Sequence, residues 1–299
     1  MYYTAPSPYL KARFGGKVYK LSLSSGCSCP NRDGTLGTRG CLFCDGAGAF
    51  AETGDIPAQL ARAKARLHGK EGEGRYIAYF QSFTNTYAPA SYLRPLFTAA
   101  MAPEEVVALS VATRPDCLPP EILDLLAELN RRKPVWVELG LQTIHPANAA
   151  YLRRGYELPV FEEAVRALRA RGIEVIVHLI LGIPGETRED MIASARYAGQ
   201  WADGVKLHLL HVLAGTDLAA EYAAGRVRPL EREEYFSLLE DCLRVLPPSV
   251  VIHRLTGDGD KRRLLAPLWS ADKKAVLNAM RRRFEADGLV QGSALGKEA

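Results

Sequence analysis

A chain of 299 residues with 47% hydrophobic and 24% charged side chains is long enough to bury one large core and too apolar to stay disordered. Its formal net charge of +4 is compatible with a polyanionic partner but far from the imbalance that would demand one. Uninterrupted apolar runs stay well short of the roughly 18 residues of a membrane span, and Met1-Tyr2-Tyr3-Thr4 lacks the basic-then-apolar plan of a signal peptide, so a cytoplasmic chain with no membrane partner is expected.

Short, often β-branched apolar runs alternate with stretches of helical period, the signature of stacked βα units. The predicted strands are Val18 to Leu23, Tyr76 to Phe80, Val106 to Val111, Val135 to Leu139, Ile173 to Leu181, Val205 to Leu210 and Val250 to His253. Between them, Ile122, Leu125, Leu126 and Leu129 form a helical stripe behind Pro119 and Pro120, which suit a helix start. Phe161, Ala164, Val165 and Leu168 repeat the stripe before Gly172. Thr187 and Asp190 fit a capping box directly after Gly182-Ile183-Pro184-Gly185. That turn therefore follows the carboxyl end of a strand, where a parallel α/β barrel carries its chemistry. Glycines 182 and 185 equally suit a tight turn for structural reasons alone. A helix from Ala271 to about Asp287 carries Lys273, Lys274, Arg281, Arg282 and Arg283, and with Lys261, Arg262 and Arg263 it biases the C-terminal region towards positive charge. From Gly288 onward a tail containing Gly, Ser and Ala is expected to be mobile. The fold class expected is α/β, a partial (β/α)6 barrel of TIM type with N- and C-terminal extensions. The barrel takes residues 1–255, with a cysteine loop at 27–46, and a basic helical extension with the tail takes 256–299.

Four of the six cysteines crowd into residues 27 to 44, which favours a metal or redox centre over a disulfide framework. Cys41 and Cys44 form a C-x2-C pair, and eleven residues rich in Gly and polar turn formers separate them from Cys29. Three thiolates hold an iron–sulfur cluster and leave one iron open. A structural zinc needs a fourth ligand, Cys27 or a distant histidine, and the spacing permits that reading too. Cys27 and Cys29 alternate along an extended backbone and point opposite ways, which sets Cys27 aside as a packed thiol. Cys242 lies on the apolar stripe Tyr235, Leu238, Leu239, Val245, Leu246 and reads as core. Cys117 stays open, since a reactive thiol there requires exposure and a lowered pKa.

Other polar groups gather at strand ends. Phe80-Gln81-Ser82-Phe83-Thr84-Asn85-Thr86-Tyr87 follows the second strand, and Ala112-Thr113-Arg114-Pro115-Asp116-Cys117 follows the third. Glu138, Gly140 and Gln142 share one side of the fourth. A carboxylate and an amide inside an apolar strand cost several kcal/mol without partners, so either a polar ligand or a salt bridge to a barrel helix is expected. Lys206 and His208 share one face of the sixth strand, and His178 sits in the fifth; each is a candidate catalyst or a satisfied core residue.

These motifs together resemble the radical S-adenosylmethionine proteins, in particular the subfamily with an extended Cys-x11-Cys-x2-Cys loop related to the radical domain of the elongator catalytic subunit. The resemblance spans nearly the whole chain. Its carriers are CPNRDGT at Cys29 to Thr35, GCLFC at Gly40 to Cys44, FQSFTNTYA at Phe80 to Ala88, TRPDCL at Thr113 to Leu118, ELGLQT at Glu138 to Thr143, HLILGIPGET at His178 to Thr187, VKLHLLHVLAGT at Val205 to Thr216 and HRLTGD at His253 to Asp258. It implies a 4Fe-4S cluster on Cys29, Cys41 and Cys44, with S-adenosylmethionine chelating the fourth iron. Phe43 would lie near the adenine, and Gln81, Ser82, Thr84 and Asn85 near the methionine amino group. Glu138 and Gln142 would meet the ribose or carboxylate, while Gly182 and Pro184 would line the adenine. The chemistry implied is reductive cleavage of the cofactor to a deoxyadenosyl radical, fed by an electron donor such as flavodoxin or ferredoxin. The implied substrate is the transfer-RNA wobble uridine, whose carboxymethylaminomethyl group at carbon 5 is cut back to aminomethyl, with a tRNA methyltransferase acting next. Arg262, Arg263 and Arg281 to Arg283 are either phosphate contacts for that RNA or a solvated face. A radical enzyme acting on a small molecule or protein, and a non-catalytic zinc-binding barrel that recruits RNA, are the alternatives.

Overall fold

Strands buried on both faces read as near-continuous apolar runs, and in the computed structural model these runs become one parallel sheet. The structure describes residues 2–46, 52–67, 74–257 and 259–296; Met1, Asp258 of the HRLTGD run and the last three residues of the tail lie outside them. The strands are β1 (Val18–Leu23), β2 (Arg75–Phe80), β3 (Val106–Thr113), β4 (Val135–Gln142), β5 (Glu174–Leu181), β6 (Gly204–Leu209), β7 (Val212–Leu213), β8 (Val251–Arg254) and β9 (Leu264–Ala266). Strands β1 to β6 and β8 pair in chain order, all parallel, and curl into a half-barrel, seven strands in place of the six of a (β/α)6 barrel. The short β7 and β9 pair antiparallel beside it, a feature too brief to leave a period in the sequence.

The helices cover the outer face as their stripes require. Pro120–Asn130 buries Ile122, Leu125, Leu126 and Leu129, and Leu158–Arg169 buries Phe161, Ala164, Val165 and Leu168. The capping box at Thr187 opens the helix Arg188–Trp201, with the Thr187 N–H donating to the Asp190 carboxylate at 2.9 Å. The inner face is layered. Ile77, Ala108, Trp136 and Ile176 fill its lower end with Leu10 from the N-terminal helix Pro6–Phe14. Above them lies a polar layer, and above that a cavity open at the carboxyl ends of the strands.

The tail departs from expectation. Residues 288–296 are anchored at two points, with Val290 and Leu295 left exposed: Leu289 is buried, and the Gln291 amide accepts from the Thr4 N–H at 2.8 Å and donates to the Pro247 and Val250 carbonyls. A composition rich in small residues describes a backbone free to turn, and here the turns bring one glutamine onto three backbone groups, of which the Pro247 carbonyl also accepts from the Val250 N–H.

Candidate cofactor cavity at the mouth of the half-barrel

The loop after β1 has neither helix nor strand, so side chains must hold it. Arg32 does much of this. Its guanidinium donates to the Cys44 carbonyl at 2.7 Å and lies so close to Gly40 and Gly46 that a Cβ at either position would come within 2.8 Å of it. Both glycines have positive φ, so the Gly-rich spacing serves close approach as well as turning. The Asn31 amide donates to the Arg153 carbonyl at 2.7 Å and to Cys41 Sγ at 3.2 Å. The loop is stitched to the barrel by the Leu42 N–H on the Leu152 carbonyl and the Leu218 N–H on the Leu42 carbonyl.

So held, Cys29, Cys41 and Cys44 line one cavity of about 390 Å³. Cys27 turns the other way into the apolar core, Cys117 is buried and pushed up to about 12 by burial and then by Asp116, and Cys242 is fully buried. Burial and then the neighbouring Cys44 push the Cys41 thiol up to about 11. Among the described residues no three His, Cys, Asp or Glu side chains converge as closely as a single ion requires. A cubane cluster spreads its ligands around its own bulk, so a set of three thiols facing open space, with the Asn31 amide donating to Cys41 Sγ, fits a cluster with one open iron.

Below the cysteines the polar layer centres on Glu138, whose side chain is fully buried. Its carboxylate accepts from Lys20 at 2.9 Å, Ser110 Oγ at 2.8 Å, His178 Nε2 at 2.7 Å and Lys206. Burial alone would raise its pKa, but the Lys20 and Lys206 ammoniums and His178 hold it well below the usual carboxylate range. Burial pulls Lys206 down to about 7, against the attraction of Glu138. The expectation of a salt bridge to a barrel helix is corrected: the partners of Glu138 come from strands β1, β3, β5 and β6, and Glu138 itself is among the residues that line the cysteine cavity. Lys206 itself stands behind the cavity wall, donating to Tyr79 Oη at 2.9 Å, while Tyr79, His178 and His208 line the wall. Burial, then Lys206, pull His178 down to about 4, and burial lowers His208 and His253 as well.

A pH dependence follows from these neutral histidines. Between pH 6.5 and about 4 the unfolded chain binds a proton at His178 that the folded chain refuses, so stability falls as pH drops through that window, by about 3 kcal/mol at most for this residue. Urea midpoints are expected to be lower at pH 5 than at pH 7.5, with a smaller difference in His178→Gln. A midpoint that does not move with pH would contradict neutral burial.

The other anticipated residues divide. Phe43, Gln81, Thr84 and Gln142 line the cysteine cavity. Asn85 does not: it is fully buried, accepting from Ser25 Oγ at 2.8 Å and donating to the Ala112 carbonyl at 2.9 Å, and Ser82 is buried beside it. Gly182 and Pro184 line a separate cavity of about 460 Å³ with Arg226, Arg228 and Leu230 rather than that of the cysteines. Gln142 has φ 65°, outside strand geometry, and its amide folds back over Gly140, where a Cβ would meet Nε2 at 2.6 Å. Of the basic groups, Arg262, Arg263 and Arg283 are engaged by Asp260, Asp45 and Glu233, which leaves them less able to meet phosphates than their clustering suggests. Asn31 and Arg32 entered the sequence reading only within the CPNRDGT run, without roles of their own, and Lys20 and Tyr79 only as strand residues; a lysine between apolar neighbours in β1 was the visible signal for the polar layer.

Comparison with known proteins agrees with this arrangement. Residues 34–198 match the model of the radical SAM superfamily, and residues 202–286 match that of the Radical_SAM C-terminal domain. Uncharacterized protein YtqA of Bacillus subtilis is 44% identical over 289 residues, 95% of this chain and 90% of that protein. The tRNA uridine(34) acetyltransferase of Dehalococcoides mccartyi is 29% identical over 161 residues, 52% of this chain and 34% of that protein. In fold, the archaeal Methanocaldococcus infernus Elp3 lacking its N-terminus is similar at a TM-score of 0.64 and 18% identity, over 92% of this chain and 64% of that one. Members of the matched family use a 4Fe-4S cluster and S-adenosylmethionine, which are therefore this chain's cofactors, and the zinc reading of the cysteine spacing falls away. By sequence and by fold, this chain belongs to the radical SAM superfamily.

Proposed function

We propose that the chain carries its cluster on Cys29, Cys41 and Cys44 and modifies the wobble uridine of transfer RNA, cutting a carboxymethylaminomethyl group back to aminomethyl. One observation carries the cluster assignment. Of six cysteines, these three share a cavity at the carboxyl ends of the parallel strands, while Cys27, Cys117 and Cys242 are buried away from it. When bound, the cluster and S-adenosylmethionine supply a deoxyadenosyl radical that takes a hydrogen from the substrate. The chain's own part is to hold and to exclude. Arg32 and Asn31 set the thiols, and Phe43, Gln81, Thr84 and Gln142 face the cofactor, while Gly182 and Pro184 line a separate cavity. His178 and His208 are the candidate catalysts that face the cavity, and Glu138 fixes His178 and Lys206.

The RNA substrate is supported by the partial similarity to a tRNA uridine(34) acetyltransferase. Two measurements test the reading in turn. Anaerobic reconstitution with iron and sulfide is expected to give a brown protein that bleaches with dithionite and releases 5′-deoxyadenosine. Wobble nucleosides in transfer RNA from cells with and without the gene are then expected to differ, the mutant keeping the carboxymethylaminomethyl form. An unchanged profile removes the RNA substrate and leaves the radical enzyme.

A further inference from the structure

The segment from Gln81 to Tyr87 is pinned on both sides. The Thr84 N–H donates to the Ser28 carbonyl at 3.3 Å and the Asn85 N–H to the Ala112 carbonyl at 3.2 Å. Thr86 Oγ1 lies 2.5 Å from Thr113 Oγ1 and donates to the Cys117 carbonyl. Ser82, Thr84, Asn85 and Thr86 are all buried. Phe83 is the exception. Its ring is 40% exposed, and its φ of 61° lies in the left-handed region that bulky side chains avoid. Such a conformation persists only where the surroundings over-determine it, as the hydrogen bonds on either side do here.

Two unfavourable features thus meet in one residue, a strained backbone and an apolar ring in water, and that residue lines the rim of the cysteine cavity. Thr35 Oγ1 and Tyr87 Oη lie 2.8 Å apart, which ties the cysteine loop to this segment. The same loop carries Leu36, 53% exposed, and Arg39, whose side chain is 70% exposed and no closer than 3.5 Å to Asp217. A rigid aromatic ring facing solvent at a cavity mouth, with a loosely held cation on the adjoining loop, is the chemistry that unpaired nucleotides bind: bases stack on the ring and phosphates meet the cation.

We propose that Phe83 is a stacking platform that receives a nucleobase of single-stranded RNA as the target nucleotide turns into the cavity. This rests on the RNA reading above and adds the residue that would hold the base. The backbone that carries the ring is pinned before binding, so only the side chain of Phe83 has to be ordered by the stack.

The test uses the full reconstituted chain with two probes, an anticodon stem-loop RNA whose wobble uridine carries the carboxymethylaminomethyl group, and S-adenosylmethionine alone. Phe83→Ala is expected to weaken RNA binding roughly fivefold to a hundredfold while binding S-adenosylmethionine as the wild type does. Phe83→Trp is expected to bind RNA near the wild-type level, with indole emission quenched on addition of the RNA. Phe83→Gly provides a check on the backbone: it should melt above Phe83→Ala, because glycine accepts the positive φ, yet bind RNA as weakly. Equal RNA binding by wild type and Phe83→Ala would overturn the stacking role and leave the RNA substrate standing. Loss of S-adenosylmethionine binding in Phe83→Ala would also overturn it, assigning the ring to the cofactor. Failure of the wild type to bind the stem-loop would remove both this role and the RNA reading.

Discussion

Glu138→Ala is expected to destabilise the fold by about 3–5 kcal/mol, the cost of leaving buried charges without their counter-ion. The carboxylate is fully enclosed and receives hydrogen bonds from Lys20, Ser110, His178 and Lys206, so its loss orphans four donors at once. Lys20 is 27% exposed and can turn towards water, but Lys206 is 2% exposed and, among the described residues, has only Tyr79 Oη besides. Lys206→Met should cost less, because Glu138 keeps Lys20 and His178. The double variant Glu138→Leu with Lys206→Met should recover much of the loss, since it removes both members of the enclosed pair together. Urea unfolding of the three variants decides this. A Glu138→Ala midpoint equal to the wild type would mean that water reaches the layer and the charges are not enclosed.

Cys29→Ala, Cys41→Ala or Cys44→Ala is expected to abolish 5′-deoxyadenosine release and to strip most of the iron from the reconstituted protein, while Cys27→Ala and Cys117→Ala keep both. The contrast comes from where the thiols point: three face the cavity, Cys27 packs in the apolar core, and Cys117 is buried behind Asp116. Gly40→Ala should lower iron incorporation without touching a ligand, because a Cβ there would press on the Arg32 guanidinium that holds the Cys44 carbonyl. Iron and sulfide content per chain and the visible absorption of the cluster report this directly. Retention of iron in any of the three cysteine variants, or its loss in Cys27→Ala, would require a different ligand set.

Much of the fold was legible because each βα unit repeats a local rule. The β-branched runs, the stripe at Phe161 to Leu168 and the Thr187 capping box depend on neighbours in sequence, and each stands in the structure where its period places it. The alternation that separates Cys27 from Cys29 is local in the same sense. The C-terminal tail was misread for the opposite reason: its order comes from Thr4, Pro247 and Val250, residues distant in sequence that lend it their backbone groups. Gly182 and Pro184 were rightly placed at a strand end, yet which of two cavities they line depends on how the chain packs at Arg226 to Leu230.

The chemistry divides along the same line. Three thiols at their spacing, and a family's motifs at successive strand ends, are properties of the chain as written, because coordination chemistry and strand period act over a few residues. That Glu138 is satisfied by four other strands, that Arg32 fills the hollow under two glycines, and that Phe83 alone faces outward from a buried segment were decided only when the sheet curled. Curling brings side chains more than a hundred residues apart, such as Lys20 and Glu138, within one hydrogen bond. No local periodicity encodes such a pairing, because its energy exists only in the enclosed interior that the complete sheet creates.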